Sequence, residues 1–417
     1  MEMKHLTLLI LLGAVSNLDA QNWPQWRGPD QNGISREKGF PTKWSKTENI
    51  LWSVPLPGRS GSTPVVWNDQ IFLTTPKSGK NVVASYDMSG KLLWETEIGQ
   101  ARKGKHRAKG SATHPSPVTD GEQVFVYFRS GDAAALDFDG KIKWEKNLHA
   151  QHGRDTLWWD MATSPVLTSE HVVFTKMDDG KSWLLALDRN SGEQAWKQDR
   201  FFKTEPESDH AYTTPVVHTG GDGKELIIVL GADHVTAHAA DTGSEVWRYA
   251  GLNPGKTKYW RCISSPVVGE GLVFAPYARG KQLTAIKLGG KGDITESHKA
   301  WVGQRSADVP SPLVVNGRAY VCEDRGFVTC FDVKSGKQLW RNRIGGSIST
   351  SPVLADGRIY VLREKGTMVI LEEGATFKLV ATNSLDGEWC LSSPVPVKGK
   401  FIIRTAENLI CIGKAGA

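Results

Sequence analysis

Short runs of β-branched and aromatic residues, broken by Asn, Asp, Ser and Gly, fill the chain from about residue 50 to its end. In the first such stretch the runs are Pro64–Trp67, Gln70–Thr75, Val82–Tyr86 and Leu92–Glu97. Their period is that of strands, and the breaks between them have turn chemistry. No amphipathic helical pattern of convincing length interrupts them. A Ser/Thr-Pro-Val/Leu tripeptide opens each group of four. Its prolines are Pro64, Pro117, Pro165, Pro215, Pro266, Pro312, Pro352 and Pro394, spaced 40 to 53 residues apart. A second motif, an acidic residue, a Gly turn and then Trp, ends at Trp94, Trp144, Trp196, Trp247 and Trp340. Trp301 holds that place in the fifth copy without the turn, and Val380 is the expected replacement in the seventh.

Four-strand units of this length, repeated eight times, predict an all-β fold: an eight-bladed β-propeller of four-stranded antiparallel blades. The eighth copy supplies only three runs, Pro394–Val397, Phe401–Thr405 and Leu409–Ile412. Ile50–Val54, with Trp52 in the repeat's Trp position, precedes the first tripeptide and has no blade of its own. Pairing it with the last sheet closes the ring and removes two open edges. The expected division is a ring over 49–413, an extension over 21–48 packed on it, and a tail over 414–417. The repeated tryptophans read as wedges between adjacent sheets, each indole N–H needing one partner.

Residues 1–20 place Lys4 and His5 before the apolar run Leu6–Val15, followed by small residues at Ala14, Ser16 and Ala20. This is the pattern of a cleavable export signal. About ten apolar residues fall well short of the roughly 20 that a membrane span needs. The expected location is therefore periplasmic or secreted, with no transmembrane segment. A net charge of +6 over 51 basic and 45 acidic residues is mild and names no partner. Export disfavours a nucleic-acid partner. Five cysteines are an odd and sparse set. Cys322 and Cys330 lie on two short strands and either face each other across a hairpin or sit as buried thiols. No zinc spacing, Walker loop, G-x-S-x-G or H-E-x-x-H is present.

The repeats DRNSGEQAW at 188–196, DTGSEVW at 241–247 and DVKSGKQLW at 332–340 resemble the tryptophan-docking repeat of pyrroloquinoline-quinone (PQQ) propeller proteins. NWPQWRGPDQNG at 22–33 resembles the opening of secreted PQQ-like repeat proteins. The resemblance implies one of two branches: quinoprotein dehydrogenases of alcohols or sugars, or non-enzymatic scaffolds of the BamB type. The first branch implies PQQ and calcium, and also an adjacent Cys-Cys pair, inserted loops and a haem site that this sequence lacks. The second implies a lipid-anchor cysteine, for which no cysteine follows the apolar run.

In a propeller the loops preceding the innermost strands meet at one mouth of the central channel. Those loops carry Arg59, His114, Trp159, Asp160, His210, Tyr212, Trp260, Arg261, Asp308, Glu388 and Trp389. Aromatic faces beside Arg and His suit a planar anionic quinone or a sugar. Asp160, Asp308 and Glu388 are the candidate calcium ligands or general base. The same residues also suit a binding face without catalysis, holding an envelope protein, a peptide or a carbohydrate. The run 102–109, with Arg102, Lys103, Lys105, Arg107 and Lys109, is either a solvated loop or a docking point for an acidic partner.

Overall fold

The computed structural model describes residues 22–414. The export-signal reading of 1–20 and most of the 414–417 tail lie outside them. Among the described residues the chain forms eight sheets, antiparallel but for one two-residue strand, and a single five-residue helix, Leu148–His152. The first blade pairs Val65–Trp67, Gln70–Lys77, Lys80–Asp87 and Leu92–Gln100 in sequence order. The last joins Ile50–Pro55 to Asn408–Ile412, Lys400–Arg404 and Val395–Val397. Trp52 lies in register with Cys411, so the first strand of the chain closes the ring. The second and third strands of each blade are buried on both faces. That is why they read as continuous apolar runs: each sheet has a neighbour on either side.

The repeat tripeptide has a specific physical purpose. The Ser or Thr before each repeat proline accepts, on its hydroxyl oxygen, the backbone N–H of its counterpart one blade earlier. Thr63 N–H donates to Ser116, Ser116 to Ser164, Ser164 to Thr214 and Thr214 to Ser265. Ser265 continues to Ser311, Ser311 to Ser351, Ser351 to Ser393, and Ser393 returns to Thr63. The donor–acceptor distances run from 2.9 to 3.2 Å. The result is a closed girdle around the channel. Without it these buried N–H groups would face the axis unpaired.

The tryptophans knit the outer ring in the same way. The indole N–H of Trp52, Trp94, Trp144, Trp196, Trp301 and Trp340 donates to a carbonyl in the next blade's turn, at 2.7–3.1 Å. The ring of each of these except Trp340 then lies against the turn glycine. At Gly243, φ is +72° and a Cβ would stand 2.4 Å from the Trp196 ring, so both backbone and space require glycine.

Two positions break the pattern. Blade five lacks the Gly turn, and its Gly292–Asp293 instead pairs in parallel with the outer strand of blade four, opposite Trp247 and Arg248. Trp247 is wholly covered and its indole nitrogen has no partner among the described residues. In blade seven the register corrects the sequence reading. Ala381, not Val380, sits opposite Ile370, where Trp340 sits opposite Cys330 in blade six. Among the described residues no repeat tryptophan wedges between blades seven and eight. Phe40 and Trp44 of the N-terminal segment fill that gap, with ring centroids 5.1 and 6.4 Å from Phe401. Trp44 N–H and Thr42 C=O are both held by the Asn383 side chain.

The segment from Trp23 to Ser35 crosses the channel on the side away from the mouth loops. It bonds the backbone at Val66, Thr119 and Leu354, while the Gln31 side chain bonds Val217. Each of these lies two residues past a repeat proline. Arg27 reaches the carbonyls of Pro312 and Pro352, at 2.5 and 2.7 Å.

All five cysteines are free and buried. Cys322 stands opposite Val328 and Cys330 opposite Tyr320, so the two thiols are off register and the cross-hairpin pairing is corrected. Burial pushes both thiols up to about 12.

Candidate functional site

Below the mouth loops, the girdle encloses a cavity of about 490 Å³. Seven of its eight Ser/Thr residues line the wall, and Trp26 of the N-terminal segment lines it from below. Each girdle hydroxyl uses a lone pair for a neighbour's N–H. Among the described residues none of the eight donates its own proton to a protein acceptor. Those O–H groups are free to donate. Ala162, Ile263, Val309 and Leu391 supply apolar wall between the polar groups.

Of the residues read from the loops, six line this cavity: His114, Trp159, Asp160, Tyr212, Arg261 and Asp308. His114 accepts the Gly61 N–H on Nδ1 at 3.0 Å, which leaves Nε2 to carry the ring proton. Burial lowers its pKa to about 4, against the pull of Asp160, so it is neutral at pH 7. The Tyr212 hydroxyl accepts the Trp159 N–H at 3.2 Å. Burial, chiefly, raises its pKa, and it remains a phenol.

The carboxylates are tied down. Asp160 is paired with buried Arg129 at 2.8 Å and accepts the N–H groups of Lys105 and His106. Asp308 faces Arg261 at 3.4 Å and Arg279 at 3.7 Å. Arg261 is also 3.6 Å from buried Glu207. Glu388 does not reach the cavity; it accepts a hydrogen bond from the Asn408 side chain at 2.6 Å.

Arg59, His210, Trp260 and Trp389 stand outside the cavity wall. Arg59 donates to the Ala108 carbonyl and lies 5.9 Å from the Trp389 ring. His210 is fully buried, with its ring edge-on to Trp158. Trp260 packs edge-on against Tyr277. These four position the rim.

Several cavity groups had no sequence signal strong enough to find them. Trp26 belongs to the N-terminal segment, and only the crossing of the channel brings it there. Asp324 comes from the hairpin turn of blade six and accepts the N–H groups of Asp308 and Val309. Burial raises it to about 6. Lys109 reaches Glu364 and Ser349 across the mouth. The basic run 102–109 is thus neither a freely solvated loop nor a uniform basic patch. Arg102 pairs with Asp155, and Lys105, though exposed like Lys103 and Arg107, donates to the Leu157 carbonyl.

Comparison with known proteins matches the chain to the family described as Outer membrane protein assembly factor BamB, over residues 38–179, 180–311 and 295–376. The chain belongs to this family. Its fold is the PQQ-like β-propeller. The BamB of Yersinia pestis is 24% identical over 326 residues, 76% of this chain and 77% of that protein. The solved BamB of Moraxella catarrhalis superposes with a TM-score of 0.63 at 18% identity, covering 88% of this chain and 98% of that one. A europium-containing methanol dehydrogenase superposes with a TM-score of 0.68 at 12% identity, covering 94% and 89%. At such identities the two solved structures share the fold alone.

The dehydrogenase likeness raises the question of PQQ and calcium. The residues present do not fit them. Both cations on the cavity wall, Lys109 and Arg261, already face carboxylates, which leaves no free positive group for an anionic quinone. Among the described residues no three His, Cys, Asp or Glu side chains converge to hold a metal ion.

Proposed function

We propose that this protein is a non-catalytic scaffold of the cell envelope that holds a partner or ligand at the loop face around its channel. The carrying observation is the state of the mouth groups. Asp160 and Asp308 are ion-paired and Glu388 points away, so no candidate base is free to take a proton. Around them, Trp158 and Tyr259 stand about half exposed on the rim, at 48% and 49%. A patch of exposed aromatics beside buried, satisfied charge is the composition of a binding surface. Kinship with outer membrane protein assembly factors supports an envelope protein as the macromolecular partner.

A photo-crosslinking residue at Trp158, compared in living cells with one at Leu92 on the outer strand of blade one, tests this reading. Discrete envelope adducts are expected from position 158 and not from 92. The reverse pattern moves the partner surface off the loop face. On the purified protein, PQQ with calcium is expected to leave the melting temperature unchanged and to support no dye-linked oxidation of alcohols or sugars. Turnover would replace the scaffold reading with the enzyme.

A further inference from the structure

The cavity has a chemistry of its own, beyond a surface for partners. Its wall is a ring of hydroxyls whose protons have no acceptor among the described residues, set above an indole floor at Trp26. Over the girdle stand His114, neutral and with its ring bonded to the backbone of Gly61 and Lys109, and the phenol of Tyr212, whose oxygen takes the Trp159 N–H and whose O–H remains to donate. Lining charges are balanced or, at Asp324, satisfied by two backbone N–H groups. A ligand for this space is uncharged, rich in hydroxyl oxygens that accept, and has apolar faces for the indole rings. Its size matches, since small-molecule sites run from about 300 to 1,000 Å³.

The rim extends the same pattern outward. Trp159 is 41% exposed, and the Trp158 and Tyr259 rings lie 6.3 Å apart. Tyr259 is held at φ +67°, a conformation costly for a bulky side chain and one found at ligand clamps. Its N–H is fixed by the Pro206 carbonyl at 2.9 Å. Aromatic faces outside and a hydroxyl ring inside are the two halves of sugar recognition, apolar C–H faces and polar edges.

We propose that the channel is a binding site for the end of a neutral glycan, with a terminal pyranose at the hydroxyl girdle and the next units on the Trp158–Tyr259 rim. This deepens the loop-face reading and rests on it for the rim. Lys109 and Arg261, each held by carboxylates, select against sulfated or uronic sugars.

The test is titration of the purified protein with neutral gluco-, manno- and galacto-oligosaccharides of two to six units, by calorimetry and tryptophan fluorescence. Sulfated and uronic counterparts and a set of uncharged peptides run in parallel. Saturable binding of at least one neutral series is expected, with affinity rising with length. Tyr212→Phe, which keeps the ring and loses the O–H, should weaken it about three- to tenfold, and Trp159→Ala more than tenfold, both with unchanged circular dichroism. Failure of every neutral sugar overturns the proposal, as does preference for the anionic series or for peptides. Equal binding by wild type and both variants overturns the placement in the channel. These results are read without any partner protein, so they fail independently of the crosslinking at position 158.

Discussion

At the scale of single residues, one small polar side chain recurs eight times to the same end. Each Ser or Thr before a repeat proline satisfies a backbone donor of the blade before it, a task that suits the short hydroxyl side chain found at all eight positions. The candidate carboxylates show the opposite lesson. Asp160, Asp308 and Glu388 are alike in sequence, yet one is buried on Arg129, one shares Arg261 with Glu207, and one leaves the mouth altogether. Those fates depend on Arg129 and Asn408, which come from other segments of the chain. His114 carries a pH prediction. Its folded pKa of about 4 lies below the ordinary 6.5, so below pH 6.5 the unfolded chain binds a proton that the folded one refuses. Its contribution to stability is complete above pH 6.5 and falls as the pH drops toward 4, by at most about 1.4 kcal/mol per unit. His114→Gln keeps an acceptor for the Gly61 N–H without titrating. Thermal melts at pH 7 and pH 5 should show wild type losing stability relative to the variant; parallel losses would place the His114 ring in solvent.

At the scale of elements, the strand runs were legible to within a few residues because each sheet is covered on both faces and the turns between strands are local. The first blade's third and fourth strands extend further than the apolar pattern showed, to Lys80–Asp87 and Leu92–Gln100, because hydrogen bonding continues after burial ends. The docking tryptophan in blade seven was misplaced by one residue. A bulge sits beside that position in every outer strand, and only register separates Val380 from Ala381. The compensation comes from the far end of the chain, where Phe40 and Trp44 fill the space the missing indole leaves. Trp44→Ala is expected to cost about 3–5 kcal/mol, as for other buried Trp or Phe truncations. Chemical denaturation measures it. A loss under 1 kcal/mol would mean the gap is filled without it.

At the scale of the whole molecule, a ring of eight sheets closes because its first strand belongs to the last blade. The channel so formed is crossed by Trp23–Ser35, with Arg27 buried among carbonyls and, among the described residues, no carboxylate against it. Burial lowers that guanidinium to about 9, which still leaves it charged at neutral pH. Its strength lies in charge-assisted hydrogen bonds to two different blades. Arg27→Met should release the crossing segment and leave the ring intact. Limited proteolysis is expected to cut between residues 22 and 35 in the variant and to spare wild type; equal resistance would show that the backbone pairing at Val66 and Leu354 suffices alone. The sequence by itself determined the repeat, the eight blades, the closing strand and the set of loops that meet at one mouth, because strand period and turn chemistry are local and a repeat amplifies them eightfold. Only the tertiary structure decided which of those loop residues face the channel, which charges cancel, and that Trp26 lines the cavity from below, because each depends on atoms brought together from distant blades.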